Sequence, residues 1–267
     1  MTPYHVLHHG RGPALLLLHG FTGSSESWTP LLPALSERFR VLAVDLPGHG
    51  RTNVGEDVAA YAVPRVVDEL VRVLDEHDAA TAHVLGYSMG GRIALALAAH
   101  APARVERLLL ESASPGLATA AERAARVAAD EALADRIEVH GIEAFVDEWE
   151  RLPLFASQAS LTEEVRRRVR AQRLRCDPHG LALSLRGMGT GAQPPLWDAL
   201  PHLRMPVHLL VGGRDAKFVA IARDMQHAVP HAALTISPDA GHTVHLEDPA
   251  TWTAVVTAYS AEAESAL

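Results

Sequence analysis

Short apolar runs recur along the chain at intervals that leave room for a helix between them. They fall at residues 14–18, 41–44, 83–85, 107–110, 207–211 and 233–236, with 4–8 as a further edge candidate. Several are continuous rather than alternating, the pattern of strands buried on both faces of a parallel sheet. Between them apolar residues repeat at helical spacing, near 28–37, 63–75, 89–101, 216–228 and 249–262. This alternation predicts an α/β fold: right-handed crossovers around an open, mostly parallel, doubly wound sheet. Ligands of such sheets bind beyond the carboxyl ends of the strands.

The alternation stops between residues 116 and 200. No strand pattern occurs there, and the stretch reads as four helices at 119–134, 142–151, 162–175 and 179–187. A helical block between two strands of one sheet is best placed as a cap over the strand ends. The expected division is a core made of residues 1–115 and 200–267, with residues 116–199 as an inserted helical cap. A chain of 267 residues suits one large domain with such an insertion. The glycine-rich stretch Gly187-Met188-Gly189-Thr190-Gly191 follows no strand and so makes no dinucleotide fingerprint.

Composition narrows the function classes. Hydrophobic residues at 48% and charged residues at 21% describe an ordinary globule. A net charge of -8 lacks the chain-wide basic footprint of a nucleic-acid binder. The longest apolar run, residues 93–99, is far too short to cross a bilayer. Met1-Thr2-Pro3-Tyr4-His5 has neither the basic nor the apolar region of a secretory signal. A single cysteine, Cys176, excludes an internal disulfide and cysteine-rich metal sites. The expectation is a cytoplasmic protein acting on a small molecule, with no cofactor, no metal, no nucleic acid and no membrane partner. Its oligomeric state is not readable. Lys217 is the one lysine among 24 basic residues. Codon bias or thermal adaptation explains an arginine excess, and a demand for planar, bidentate carboxylate binding is the alternative.

The sharpest chemical signal is Gly86-Tyr87-Ser88-Met89-Gly90, a G-x-S-x-G between an apolar run and a helical run. That strand–turn–helix context exposes the Ser88 hydroxyl at the sheet's carboxyl edge; the alternative is a helix-capping serine. A serine nucleophile needs a base and an orienting acid, which follow it in the chain order Ser, Asp or Glu, His. Asp215 follows one strand in Gly212-Gly213-Arg214-Asp215, and His242 follows the last in Ala240-Gly241-His242. His242 is assigned as proton acceptor and Asp215 as the group that fixes its tautomer. Glu111, at another strand end, is the competing acid, and His245 is read as structural. Developing negative charge on an oxygen calls for preorganised N–H donors. The Met89 amide is one candidate, and the Phe21 amide in His19-Gly20-Phe21-Thr22-Gly23 is the other. The Phe21 ring is equally suited to a pocket wall.

These residues resemble the α/β-hydrolase superfamily over nearly the whole chain. His19-Gly20-Phe21, Asp45-Leu46-Pro47-Gly48-His49-Gly50 and the G-x-S-x-G are shared by many esterases and identify the fold rather than the reaction. Other stretches resemble one branch, the 2-succinyl-6-hydroxy-2,4-cyclohexadiene-1-carboxylate synthases of menaquinone biosynthesis. They include Gly91-Arg92, Glu111-Ser112-Ala113-Ser114-Pro115-Gly116-Leu117, Arg123, Arg126, Trp149 and Leu154-Phe155-Ala156-Ser157. Pro178-His179-Gly180-Leu181, Gly189-Thr190-Gly191-Ala192-Gln193-Pro194 and Gly213-Arg214-Asp215-Ala216-Lys217-Phe218 complete the set. The chain departs at Cys176-Asp177, where the family often has asparagines. The resemblance implies an elimination: removal of a ring proton from a succinylated cyclohexene expels pyruvate, with Ser88 as base, His242 draining its proton and Asp215 orienting His242.

Such a substrate is a polyanion, and a protein of net charge -8 needs concentrated cations to hold it. Arg92 lies one turn after Ser88; Arg126 lies in the first cap helix and Arg173 near the end of the third. Bidentate guanidinium–carboxylate pairs would clamp and orient the substrate, while ordinary salt-bridged or surface positions are the alternative for each. Arg166-Arg167-Arg168 reads as a solvated face. Trp149 and Phe155 wall a ring-binding cavity or pack the cap core, and Tyr87 offers a hydroxyl beside the nucleophile. Lys217 reads as a structural or surface residue, with a substrate carboxylate as the alternative. The runner-up function is a carboxylesterase or carbon–carbon bond hydrolase with the same triad. A non-catalytic binding protein is disfavoured by the complete triad.

Overall fold

A computed structural model describes residues 4–261. Met1, Thr2 and Pro3 of the signal reading, and Glu262 at the expected end of the last helix, lie outside the described residues. Seven strands form one sheet: β1 Val6–His9, β2 Ala14–Leu18, β3 Arg40–Val44, β4 Ala82–Tyr87, β5 Val105–Glu111, β6 Val207–Gly212 and β7 Ala232–Ser237. Their order is β1-β3-β2-β4-β5-β6-β7. β1 runs antiparallel to β3, and the other neighbours are parallel. The run of leucines in β2 shows why the pattern was continuous. Leu16 and Leu18 belong to the core on one face of the sheet, Leu15 and Leu17 to the core on the other.

The helices are α1 Leu32–Ser36, α2 Val63–Glu76, α3 Met89–His100, α4 Ala120–Trp149, α5 Glu163–Leu174, α6 Pro178–Met188, α7 Ala216–Ala228, α8 Val244–Glu247 and α9 Pro249–Ala261. α3 is buried along most of its length, from Met89 to Ala98. The single helix expected at 28–37 is instead a 3-10 turn, Ser25–Leu31, followed by the short α1. Pro30 inside the turn and Pro33 in the first turn of α1 lack the N–H that a continuous α-helical ladder requires.

Between β5 and β6 the described elements are all helical. Two helices were expected at 119–134 and 142–151, but α4 is continuous through residues 135–140. Ile137 in that stretch packs with Ala134, Phe145 and Val146, which supplies the burial that the polar sequence around it hides. The interruption is a kink at Gly141 (φ 77°, ψ 178°), a conformation only glycine adopts without strain. A capping box of Thr119 and Glu122 starts α4. The connection from α4 to α5 is a 3-10 stretch, Pro153–Ser160. α4 and α6 share an apolar cluster with Cys176, distinct from the two sheet cores, and Phe21 and Trp149 pack against it. Among the described residues, no helix is long and apolar enough to cross a membrane.

Candidate active site

The G-x-S-x-G forms the turn from β4 into α3. Ser88 has φ 51° and ψ -109°, a left-side backbone conformation that is costly for a residue with a Cβ. Neighbouring glycines permit it: a Cβ on Gly90 would collide with the Leu18 carbonyl, and one on Gly86 with the Gly90 carbonyl. The Ser88 amide donates to the Glu111 carbonyl at 2.9 Å, anchoring the turn to β5.

Three chain-distant residues meet here. Ser88 Oγ lies 3.0 Å from His242 Nε2, and His242 Nδ1 lies 2.7 Å from Asp215 Oδ2. With a carboxylate at Nδ1, that nitrogen carries the proton and Nε2 is free to accept one. Asp215 uses its other oxygen to accept the Phe218 amide at 3.2 Å, so the carboxylate that orients the ring also caps α7. Phe218 packs edge-on against His242 with centroids 4.6 Å apart. His242 and Asp215 are both buried.

Glu111 is not the acid of this triad. It is fully buried and accepts from His245 Nδ1 at 2.9 Å and from Trp252 Nε1 at 2.8 Å. His245 is therefore held in a second acid–histidine pair behind Tyr87, whose ring lies 4.8 Å from it.

A cavity of about 260 Å³ opens above Ser88. Its lining includes Phe21, Tyr87, Met89, Arg92, Arg126, Trp149, Phe155 and His242. Met89 is the first residue of α3, Phe21 follows β2, and both residues line the cavity. The loop bearing Phe21 is fixed by His19. Its Nε2 accepts the Leu46 amide at 3.0 Å, so Nδ1 is the N–H that donates to the Gly20 carbonyl at 2.8 Å. Burial lowers the His19 pKa and keeps the ring in this neutral tautomer. Against it packs His49, whose pKa burial and the neighbouring His19 push down to about 3.

Arg92 is buried, and its Nη1 donates to the Met188 carbonyl at 3.0 Å and to Gln193 Oε1 at 2.6 Å. Burial, and next the nearby Arg126, push its pKa down to about 10. Arg126 is half-exposed and paired at 2.7 Å with Asp130, four residues on. Tyr87 does not present a free hydroxyl: it is 3.0 Å from Thr243 Oγ1, and burial raises its pKa.

Arg173 is elsewhere. It lines an adjoining cavity of about 500 Å³ that shares Phe21, Tyr87 and Phe155 as walls with the first. Its guanidinium lies 5.1 Å from the centre of the Phe155 ring and 3.1 Å from Glu150. An aromatic layer thus separates it from Ser88. The apolar face of α5 is too thin to bury its arginines without partners, and Glu150 at the end of α4 provides one.

Lys217, read from sequence as structural with a substrate carboxylate as the alternative, lines the cavity. Other residues were given no role from sequence. Ser112 and Ser184 also line the cavity. Gln193 holds Arg92, and Asp130 holds Arg126. Only the Arg126–Asp130 pair had a local signature, the four-residue spacing of helical ion pairs. Among the described residues, no group of His, Cys, Asp and Glu is arranged to hold a metal ion.

The geometry has a counterpart in known proteins. Residues 13–249 match the model of the α/β hydrolase fold family. The chain belongs to this family. It is 45% identical over 236 residues to a Bacillus subtilis (strain 168) protein provisionally named 2-succinyl-6-hydroxy-2,4-cyclohexadiene-1-carboxylate synthase, covering 88% of this chain and 86% of that one. It is 32% identical over 238 residues to the synthase of that name from Escherichia coli O1:K1, covering 89% of this chain and 90% of the other. Among solved structures, MenH from S. aureus superposes with a TM-score of 0.93 at 35% identity, over 98% of this chain and 99% of that one. The likeness therefore extends through α4, α5 and α6 and is not confined to the sheet.

Proposed function

We propose that this chain is a pyruvate-eliminating carbon–oxygen lyase of menaquinone biosynthesis. It converts 2-succinyl-5-enolpyruvyl-6-hydroxy-3-cyclohexene-1-carboxylate to 2-succinyl-6-hydroxy-2,4-cyclohexadiene-1-carboxylate. The observation that carries this reading is the charge of the cavity. On a chain of net charge -8, the described lining above Ser88 contains Arg92, Arg126 and Lys217 and no carboxylate. Such a lining suits a substrate with several carboxylates and disfavours a neutral ester. Full-length likeness to the synthases supports the same assignment.

In this reading Ser88 Oγ passes its proton to His242 Nε2 and removes the ring hydrogen α to the succinyl ketone. Asp215 stabilises the imidazolium that results. Charge moves to the ketone oxygen, where the Phe21 and Met89 amides donate. Electrons then return through the ring, the carbon–oxygen bond to the enolpyruvyl group breaks, and the departing enolate is protonated to pyruvate. Arg92 and Arg126 hold substrate carboxylates, and Tyr87, Trp149 and Phe155 wall the ring. Arg173 contributes from behind Phe155. Residues 116–199 act as a cap over a core of residues 1–115 and 200–267. No cofactor takes part.

The test is turnover of the enolpyruvyl substrate, followed by pyruvate release and compared with hydrolysis of simple aryl esters. Efficient pyruvate release with weak ester turnover is expected. A lyase never acylates Ser88, so solvent oxygen-18 should not enter the product carbonyl through catalysis, after correction for spontaneous exchange. A trapped acyl-Ser88 on the catalytic path would overturn the assignment in favour of a hydrolase.

A further inference from the structure

His242 has its ring fixed by Asp215 and Ser88, but its backbone lies in the connection between β7 and α8, outside any strand or helix. The amides on either side of it donate to one carboxylate. Gly241 N–H reaches Glu247 Oε2 at 2.8 Å, and Thr243 N–H reaches Glu247 Oε1 at 3.2 Å. Glu247 ends α8, so its side chain folds back along that short helix to the backbone where the helix begins. Thr243 makes no side-chain cap; its hydroxyl is engaged with Tyr87 and Gln158.

A second carboxylate holds the following turn. Glu111 Oε1 accepts the His245 amide at 3.0 Å, and the same group accepts from the His245 ring and from Trp252. The backbone carbonyl of Glu111 also accepts the Ser88 amide. One residue of β5 is thereby bonded to the Ser88 backbone and to the segment that carries His242.

We propose that Glu247 and Glu111 are positioning residues of the base: together they hold the backbone of residues 241–245 so that the His242 ring stays in line between Asp215 and Ser88. The inference rests on the reading of Ser88, His242 and Asp215 as the reacting triad. The 3.0 Å Ser88–His242 contact leaves little room for drift, because a displacement near 1 Å breaks a hydrogen bond and costs about 10²-fold in rate. A carboxylate suits the task because it offers acceptors on both oxygens. A glutamine in its place turns an NH2 group toward one of the backbone donors.

The test is Glu247→Gln in the full chain, with Glu111→Gln in parallel. Three quantities are read: kcat and KM per folded active site, the melting temperature, and the low-field proton resonance of the His242 Nδ1–H···Asp215 bond. Expected for Glu247→Gln is a fall in kcat of about 10-fold, with KM within about 2-fold of wild type and a broadened or shifted low-field resonance. A merely structural carboxylate would lower the melting temperature and leave kcat per folded site and the resonance as in wild type, and that result overturns the proposal. Should the variants fail to fold, hydrogen exchange of the wild-type protein decides. The Gly241 and Thr243 amides are expected to exchange at least about 10²-fold more slowly than exposed amides, and exchange at the exposed rate overturns the clamp. If the wild type releases no pyruvate, the substrate assignment fails, while the resonance and the exchange rates still judge the clamp.

Discussion

Replacing Arg92 by methionine separates binding from stability, because the structure assigns it a large effect on the first and a small net effect on the second. The guanidinium is buried and has no salt bridge among the described residues; its bonds go to the Met188 carbonyl and the Gln193 amide oxygen. Burial and repulsion from Arg126 push its pKa down to about 10. That is roughly two and a half powers of ten below the ordinary guanidinium value, so the buried charge costs about 3 kcal/mol of folding free energy. Methionine removes this cost and keeps much of the volume. It also leaves Met188 and Gln193 with unpartnered acceptors, at about 1–3 kcal/mol each. The contributions largely cancel, and unfolding by urea should place the variant within about 3 kcal/mol of wild type. Catalysis should respond very differently. Two charge-assisted bonds to a substrate carboxylate are worth about 1.5–3 kcal/mol each, so kcat/KM for pyruvate release should fall about 10²-fold or more. Arg92→Lys should recover only part, since a point charge lacks the planar fork.

A guanidinium stays protonated in a folded protein, so Arg92 is cationic throughout the working pH range, and its depressed pKa records the cost of burying that charge rather than a titration. Wild-type kcat/KM in the folded methionine variant would refute the argument, and so would a loss of activity explained wholly by unfolding.

Ser88→Ala should lower kcat for elimination by about 10²–10⁴-fold, the usual worth of general-base catalysis, as measured by pyruvate release. Arg173→Met should act more weakly on kcat/KM than Arg92→Met and more strongly on the melting temperature, because Arg173 is bonded to Glu150 and stacked on Phe155 in the adjoining cavity; an effect on kcat/KM equal to that of Arg92→Met would show that Arg173 reaches substrate directly. Burial pushes the Cys176 thiol up to about 12, so a disulfide reagent at pH 8 should leave it unmodified in the native protein and modify it on unfolding; rapid native-state reaction would contradict the packing of α4 against α6.

How far the sequence revealed this site follows from how local each determinant is. Ser88 was legible because a strained turn between β4 and α3 demands glycines at fixed offsets, and those offsets are written in consecutive residues. Asp215 and His242 were legible because the sheet sets their place: residues just past the ends of β6 and β7 must emerge on the edge where Ser88 emerges. Arg92 followed from the turn of α3, one helical repeat beyond Ser88. Arg173 shows where such reasoning ends. A position near the end of α5 fixes neither which way that helix rolls nor what lies between its arginines and Ser88, and the answer turned on Phe155 and Glu150, two residues from other elements. The same holds for Glu247 and Gln193. Glu247 is bonded to the amides that flank His242 and Gln193 to Arg92, through contacts no periodicity encodes: a side chain folding back over its own short helix, and an amide reaching an arginine 101 residues away. The triad is thus specified by short-range rules acting at strand ends. What holds the triad's segment and fills the cavity above it is specified by packing between elements, and that part of the chemistry became visible only with the fold.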